Sequence, residues 1–190
     1  MNRVELGFVP MADLDAEQRR AVAQLLYDAF VGWPESWTSL DAAEQEVAES
    51  LAADRISLVA LDDANQVVGW IGAISNYHGR VWELHPLAVQ PDLQNRGIGR
   101  ALVDRLEDEV RKRGGLTIYL GTDDVTNLTS LGGVDLYPRV LEKLSHIENL
   151  RRHPFGFYQR IGFEIVGVVP DANGFGRPDI MMAKRIVKSA

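Results

Sequence analysis

The sequence predicts one domain of the α/β class over residues 1–190, with a largely antiparallel sheet and a single parallel strand–helix–strand crossover. Two observations lead to this class. A tight turn at Asp62-Asp63-Ala64-Asn65 joins two strand-like segments, which predicts an antiparallel hairpin. Further along, a strand, a glycine-rich turn, an amphipathic helix and another strand follow one another, which predicts the parallel crossover. At this chain length, such elements are typical of one α/β domain.

The first half of the chain contains two predicted helices and three predicted strands. Residues 15–30 carry apolar side chains at helical spacing, with Asp13 or Asp15 as the N-cap. A second, shorter helix is predicted over residues 40–51. The predicted strands cover residues 56–61, 67–74 and 81–89.

The second half begins with the crossover helix, which is predicted to end near Lys112, before Gly114-Gly115. A strand over residues 116–120 completes the crossover. The chain is then polar from Thr122 onward, and a helix is predicted over residues 137–150. The remaining predicted elements are a short helix over 154–160 and strands over 163–169 and 180–186.

Composition excludes several classes of protein. The sequence has no cysteine, which excludes disulfides, thiolate metal ligands and a cysteine nucleophile. It carries 20 Lys and Arg against 27 Asp and Glu, for a formal charge of −7. This acidity argues against a nucleic-acid partner, because phosphate backbones favour basic surfaces. It is compatible with a cationic substrate drawn to an acidic cleft, and equally with simple solubility.

Targeting signals are not visible in the sequence. The start, from Met1 to Met11, has neither the basic segment nor the apolar core of a secretory signal. No uninterrupted apolar run reaches the length needed to span a membrane. We therefore expect a cytoplasmic protein with no membrane partner.

The most informative motif is the glycine-rich turn Gln94-Asn95-Arg96-Gly97-Ile98-Gly99, which precedes the crossover helix. A helix start has unpaired N–H groups and a partial positive charge, so it favours phosphate or pyrophosphate. No Lys-Ser or Lys-Thr follows Gly99, which excludes a Walker-type loop. Leu102 stands where a dinucleotide loop needs a third glycine or alanine. The alternative is that Gly97 and Gly99 only make a tight turn.

The strand before this turn carries two ionisable side chains. Alternation places Glu83 and His85 on the same face of the strand. Because burying them unpaired would be costly, we expect them to line a cleft, although a solvated sheet face is the alternative. Pro86 cannot donate to a strand ladder, so we expect interrupted pairing near Leu87, with a main-chain N–H available to a ligand carbonyl.

Other reactive residues give weaker signals. The ring of Tyr158 stands among Phe155, Phe157 and Phe163 and is explained by packing alone. The histidines form no helical His-Glu-x-x-His pair, so we expect no metal site. No glycine-flanked serine elbow is present, so a hydrolase triad is unsupported.

Taken together, these motifs resemble the GNAT acetyltransferase superfamily. Gln94, Gly97 and Gly99 match its pyrophosphate signature, and its Phe-Tyr-x-x-x-Gly-Phe ending is present as FYQRIGF. Longer segments resemble aminoglycoside 6′-N-acetyltransferases: WELHPLAV, TIYLGTDD, GVDLYP, HPFGFYQRIGFEIVGVVPDANG and RPDIMMAKRI. The first third matches mainly in pattern, through Trp33-Pro34-Glu35 and the segment GWIGAI that starts at Gly69. The resemblance implies the GNAT fold, a twisted and mostly antiparallel mixed sheet with helices on both faces.

The resemblance also implies roles for residues around acetyl-CoA. The Leu87 N–H would polarise the thioester carbonyl, and Tyr158 would protonate the departing thiolate. Glu83 and His85 match the active-site acid and histidine that help to accept the proton of the attacking amine, directly or through water. Attack would be direct, in a ternary complex without an acyl-enzyme. The implied coenzyme contacts are Leu87, Ala88, Val89, Gln94, Asn95, Arg96, Gly97, Ile98, Gly99 and Tyr158.

For the acceptor, the resemblance implies a polycationic aminoglycoside and therefore a ring of acids. The expected contacts are Glu83, Asp123, Asp124 and Asp179, with Trp33 and Tyr77 as walls. For Asp123 and Asp124, a solvated loop end is the alternative. Another small amine or polyamine as the acceptor, or a non-catalytic acetyl-CoA-binding module, also stays open. Family analogy implies a homodimer.

Overall fold

The computed structural model describes residues 6–33 and 36–187. By compactness the chain divides between Leu116 and Thr117 into two units. Each unit combines helices with an antiparallel set of strands, so the predicted α/β class is confirmed. The assignment of the whole chain to one domain stays a prediction. No helix in the described part of the chain is long and apolar enough to cross a membrane.

Within its described residues, the first unit contains four strands and three α-helices. Its strands pair antiparallel in the order β1-β2-β3-β4. The predicted hairpin is confirmed as β2 and β3, whereas β1 has no counterpart in the sequence prediction. The elements are β1 Gly7–Pro10, α1 Ala16–Ala29, α2 Leu40–Glu49, β2 Arg55–Leu61, β3 Val67–Asn76, β4 Val81–Val89 and α3 Ile98–Lys112.

Side chains close in sequence cap the N-termini of α1 and α2. Asp15 accepts a hydrogen bond from the Gln18 N–H, and the Gln18 side chain accepts one from the Asp15 N–H, forming a capping box. The Ser39 hydroxyl accepts from the Ala42 N–H at the start of α2. Together with strands β2 and β3, the helices enclose a core that includes Val22, Leu26, Ala43, Val47, Val59 and Trp70.

Helix α3 packs closely on strand β3 at Gly69. A Cβ at this position would lie 2.8 Å from Leu102 Cδ1 and 3.2 Å from Ile98 Cγ2. Such distances leave no room for a side chain, so glycine here lets the first turns of α3 approach the strand. The buried face of the helix is formed by Ile98, Leu102, Val103, Leu106, Glu107 and Val110.

The second unit, described up to residue 187, contains three strands there, paired antiparallel in the order β5-β7-β6. Strand β4, helix α3 and strand β5 follow one another along the chain, as the crossover prediction requires. The elements of the second unit are β5 Thr117–Asp123, α4 Val140–Ser145, α5 Phe155–Arg160, β6 Glu164–Val169 and β7 Asp179–Arg185.

The predicted helix over residues 137–150 is wrong in extent, because α4 covers only Val140–Ser145. Beyond α4 the chain pairs with an earlier segment instead of continuing the helix. The Ser130 N–H donates to the Glu148 oxygen at 3.0 Å, and the Leu150 N–H donates to the Leu128 oxygen at 2.9 Å. These long-range bonds satisfy the backbone groups that a longer helix would have used.

Candidate active site

Strand β4 presents two different faces. Burial alternates along it, so Trp82, Leu84, Pro86 and Ala88 are buried while the intervening residues are partly exposed. Glu83 and His85 share the partly exposed face, as their spacing predicts. The strand therefore presents both ionisable side chains on one face, while its opposite face is buried and apolar.

A β-bulge interrupts the pairing of β4 just before Leu87. Ile71 pairs with Leu87 and Ala73 pairs with Leu84, so two β4 residues, His85 and Pro86, stand opposite Gly72 alone. The predicted interruption is thus present. A Cβ on Gly72 would lie 2.4 Å from the His85 carbonyl oxygen, so only glycine permits this close approach. The role of the Leu87 N–H towards a thioester stays a prediction.

His85 lies between an aromatic ring and a carboxylate. Its ring centroid is 5.4 Å from that of Trp37, and its Nε2 is 3.7 Å from Glu46 Oε2. Glu46 in turn accepts a hydrogen bond from Arg55 Nη1 at 2.8 Å. His85 and Arg55 together lower the pKa of the Glu46 carboxyl, against the opposing effect of its partial burial.

Sequence reasoning missed Glu46 and Trp37. Glu46 could have been noticed from its position in the predicted helix, because it borders the apolar positions Ala43 and Val47, which are buried in the structure. A charged residue at the margin of an apolar helix face is commonly paired with another element.

The glycine-rich turn forms the start of α3. Gly97 is the N-cap residue and has φ 91°, a left-handed conformation that favours glycine. No side chain in the described part of the chain caps this helix start. Residues 94–97 are exposed, and the Gln94 side chain donates to the Val89 oxygen at 3.3 Å. Uncapped N–H groups and the helix dipole make this turn suitable for an anion such as pyrophosphate.

The two predicted aromatic walls both belong to the first unit. Trp33 is half-buried, and its backbone N–H donates to the Phe30 carbonyl oxygen at 3.0 Å. Tyr77 is 74% exposed, which leaves its ring accessible to a ligand. The neighbouring match at Pro34 and Glu35 lies outside the described residues. Roles for Trp33 and Tyr77 in substrate binding stay predictions.

Tyr158 lies in the second unit, on helix α5. Its ring is buried and packs edge-on to Phe157 and Phe163, at centroid distances of 5.1 Å and 5.5 Å. Burial raises the pKa of the Tyr158 hydroxyl far above its ordinary value. The phenol therefore stays protonated across the neutral range.

Asp123 and Asp179 are paired residues at one end of the β5–β7 ladder. Asp123 is exposed and accepts a hydrogen bond from the Asn173 amide. The Asp179 carboxylate packs over Gly121, where a Cβ would clash with it. The second unit thus brings together two of the acids that the sequence assigned to substrate binding.

Asp124 has different surroundings from its neighbour. Its side chain is fully buried. Its oxygens accept from the Leu128 N–H at 2.7 Å, the Thr129 N–H at 2.9 Å and the Thr129 hydroxyl at 2.7 Å. The family resemblance implied a substrate contact for Asp124, with a solvated loop end as the alternative. Because its side chain is buried, the solvated alternative does not describe Asp124, and the substrate contact stays a prediction. The contacts in the structure are those of a loop anchor.

Metal ligands are not clustered in the described part of the chain. No group of three or more His, Asp or Glu side chains is arranged there to hold a metal ion. The features suited to a ligand are the uncapped start of α3 and the partly exposed face of β4.

The family is shown by comparison with known proteins. The sequence profile of the acetyltransferase (GNAT) family matches residues 19–141. The chain belongs to the GNAT acetyltransferase family.

Solved structures of particular GNAT enzymes resemble this chain over nearly its whole length. An aminoglycoside 6′-N-acetyltransferase complexed with coenzyme A is 41% identical, with a TM-score of 0.88 over 97% of this chain and 99% of that one. The aminoglycoside 6′-N-acetyltransferase of Enterococcus faecium is also 41% identical, with a TM-score of 0.84 and the same coverage. These similarities confirm the predicted GNAT fold and the resemblance to this group.

A curated relative matches over a much shorter stretch. The ribosomal protein bS18-alanine N-acetyltransferase of Escherichia coli strain K12 is 51% identical over 37 residues. The match covers 20% of this chain and 25% of that enzyme.

Proposed function

We propose that the protein transfers the acetyl group of acetyl-CoA to the 6′-amino group of an aminoglycoside antibiotic. The observation that carries this proposal is the 41% identity, over nearly the full chain, to two aminoglycoside 6′-N-acetyltransferases. One of these was solved with coenzyme A. Similarity of this extent covers the segments that bear the candidate site residues.

On the coenzyme side, the proposal uses the start of α3 and the end of β4. The main-chain N–H groups of residues 94–99 bind the pyrophosphate, aided by the dipole of α3. Leu87, Ala88 and Val89 pair with the pantetheine arm beyond the bulge. The Leu87 N–H donates to the thioester oxygen, and one such donor typically contributes about 3 kcal/mol to transition-state stabilisation.

Acetyl transfer proceeds by direct attack within a ternary complex. The acceptor nitrogen forms a bond to the acetyl carbon, and the carbon–sulfur bond breaks. The proton lost by the amine passes to Glu83 or His85, directly or through water. The Tyr158 hydroxyl, which is protonated at neutral pH, gives its proton to the departing thiolate.

The acceptor is held mainly by negative charge. An aminoglycoside carries several ammonium groups, which favour the carboxylates of Glu83, Asp123 and Asp179. Trp33 and Tyr77 form apolar walls. Asp124 supports this region indirectly, because its buried carboxylate holds the loop that follows Asp123.

The test is release of the coenzyme A thiol from acetyl-CoA with a panel of amines. The panel contains kanamycin, its 6′-hydroxyl analogues, simple polyamines and a peptide with an N-terminal alanine. We expect turnover with 6′-amino compounds and none with the 6′-hydroxyl analogues. Turnover restricted to polyamines or to the peptide would overturn the choice of substrate. Coenzyme binding without any turnover would instead indicate a non-catalytic module.

A further inference from the structure

We propose that Glu46 is a positioning residue for His85, which it holds with Nε2 protonated so that Nδ1 can accept the proton of the attacking amine. This inference rests on the proposed function, since it assigns His85 a step in acetyl transfer. It also makes a statement about the imidazole that can be measured without any substrate.

The geometry places the two side chains in contact from different elements. Glu46 lies on α2 and His85 lies on β4, with Oε2 and Nε2 3.7 Å apart. The Glu46 side chain is 12% exposed and that of His85 is 39% exposed, so the carboxylate is the more buried partner. At 3.7 Å the two atoms are farther apart than in a hydrogen bond. Hydrogen bonds between catalytic groups are often long without substrate and shorten in the substrate complex.

Two further contacts hold this pair in place. Arg55 Nη1 donates to Glu46 Oε1 at 2.8 Å, which leaves Oε2 as the oxygen that faces His85. The Trp37 ring lies against the imidazole at a centroid distance of 5.4 Å. The imidazole is thus restrained both at its face and at its Nε2 edge.

The charge of Glu46 determines which tautomer it favours. His85 and Arg55 lower the pKa of Glu46, so the group is a carboxylate at neutral pH. An ionised carboxylate only accepts hydrogen bonds, so the imidazole nitrogen next to it carries the hydrogen. In the neutral ring the other nitrogen, Nδ1, is then the proton acceptor. When Nδ1 takes up a proton, the carboxylate stabilises the imidazolium, as the Asp of a Ser-His-Asp triad does.

Three other charged groups lie near this pair. Glu83 shares the partly exposed face of β4 with His85, two residues away. Arg55 reaches the pair through Glu46. Glu49 lies on the same helix as Glu46 and also contacts Arg55, at 3.5 Å. It is therefore a matched control for loss of the contact with Arg55.

The experiment compares Glu46→Gln and Glu46→Ala with Glu49→Gln, with thermal melts to verify folding. In protein carrying ¹⁵N-labelled histidine, long-range ¹H–¹⁵N correlation spectra report the His85 tautomer, assigned by loss of its signals in His85→Asn. We expect wild type and Glu49→Gln to show the Nε2–H form. We expect a smaller share of the Nε2–H form in the Glu46 variants, Glu46→Ala more clearly, because a glutamine oxygen can still accept.

Kinetics supply the second readout. The Glu46 variants should lose about tenfold to 100-fold in kcat/KM for the amine, as is typical when an orienting partner is removed, with the KM for acetyl-CoA unchanged. Glu49→Gln should stay within about twofold of wild type. An unchanged tautomer in folded Glu46→Ala, or an equal kinetic loss in Glu49→Gln, would overturn the inference. Absence of acetyl transfer by wild type would refute the proposed function alone, since the tautomer is read without substrate.

Discussion

His153 Nε2 donates a hydrogen bond to the backbone oxygen of Asp123, at a distance of 3.0 Å. The other ring nitrogen, Nδ1, accepts from the Phe155 N–H at 3.2 Å. The imidazole is 2% exposed. It therefore links the end of β5 to the start of α5, and it does so only in its neutral form.

Acidification should destabilise the protein through His153. Burial lowers the pKa of His153 below its ordinary value of 6.5, against the opposing effect of Asp123 and Asp124. The unfolded chain therefore binds the proton first, so this contribution to stability is complete above about pH 6.5 and is lost as the pH falls towards the folded pKa. Melting temperatures between pH 7.5 and pH 5 measure the effect.

The comparison uses His153→Asn and, as control, His78→Asn at an exposed position. His153→Asn should melt at a lower temperature at pH 7.5 but show a shallower decline with acid. His78→Asn should keep the wild-type slope. Equal slopes in all three proteins would show that His153 does not carry the acid response.

Tyr158→Phe should lower kcat and leave acceptor binding nearly unchanged. The phenol is buried and protonated, and loss of a general acid typically lowers a rate by about 100-fold or more. Steady-state kinetics with a 6′-amino aminoglycoside measure the change. The control is Tyr137→Phe, which removes the hydroxyl of a tyrosine that is 59% exposed in the same unit. A rise in KM at constant kcat would reassign Tyr158 to packing.

Glu83→Ala should lose most of kcat/KM while coenzyme A binding persists. Glu83 lies on the partly exposed face of β4, away from the uncapped start of α3 that is assigned to pyrophosphate. We expect a fall of about 100-fold in kcat/KM, typical of a lost acid–base group. Calorimetric titration with coenzyme A gives the binding constant. Glu44→Ala, at an exposed position on α2, is the control, and wild-type kinetics for Glu83→Ala would remove Glu83 from the mechanism.

Asp124→Ala should reduce stability, whereas Asp123→Ala should mainly affect the acceptor. The first change leaves two N–H groups and a hydroxyl in the 128–129 segment without their acceptor. Each lost bond to a charged group costs about 1.5 to 3 kcal/mol, so we expect a loss of at least about 3 kcal/mol in urea denaturation. Asp123 is exposed, so its removal should cost less than about 1 kcal/mol and raise the KM for an aminoglycoside. Full stability of Asp124→Ala together with a raised KM would assign Asp124 to substrate binding.

Elements with strong local patterns were predictable from the sequence. The bounds of β4 are those predicted, because strict alternation and the turn residues on either side define the strand locally. The start of α1 was predictable because Asp15 and Gln18 form their capping box within one turn. The location of Glu83 and His85 on the same face of β4 follows from the same alternation.

Features that depend on contacts between distant segments were not predictable. The pattern over residues 137–150 is compatible with a helix. In the structure, however, the backbone groups of Glu148 and Leu150 form hydrogen bonds with Ser130 and Leu128 instead of helical ones. Glu46 meets His85 through a contact between α2 and β4, which lie far apart along the chain, and no local spacing encodes that contact. Strand β1 has four residues, which is too short for a periodic signal.

The position of Gly69 has a consequence for coenzyme affinity. Its missing side chain sets the distance between β3 and the first turn of α3, through the contacts with Ile98 and Leu102. A methyl group there would press on Leu102 Cδ1 and Ile98 Cγ2, and any shift of α3 in response would move the N–H donors of its first turn. In the proposed enzyme, the affinity for the coenzyme therefore depends partly on how closely α3 packs on β3. A substitution of Gly69 in the core would then appear in an assay as weaker coenzyme binding.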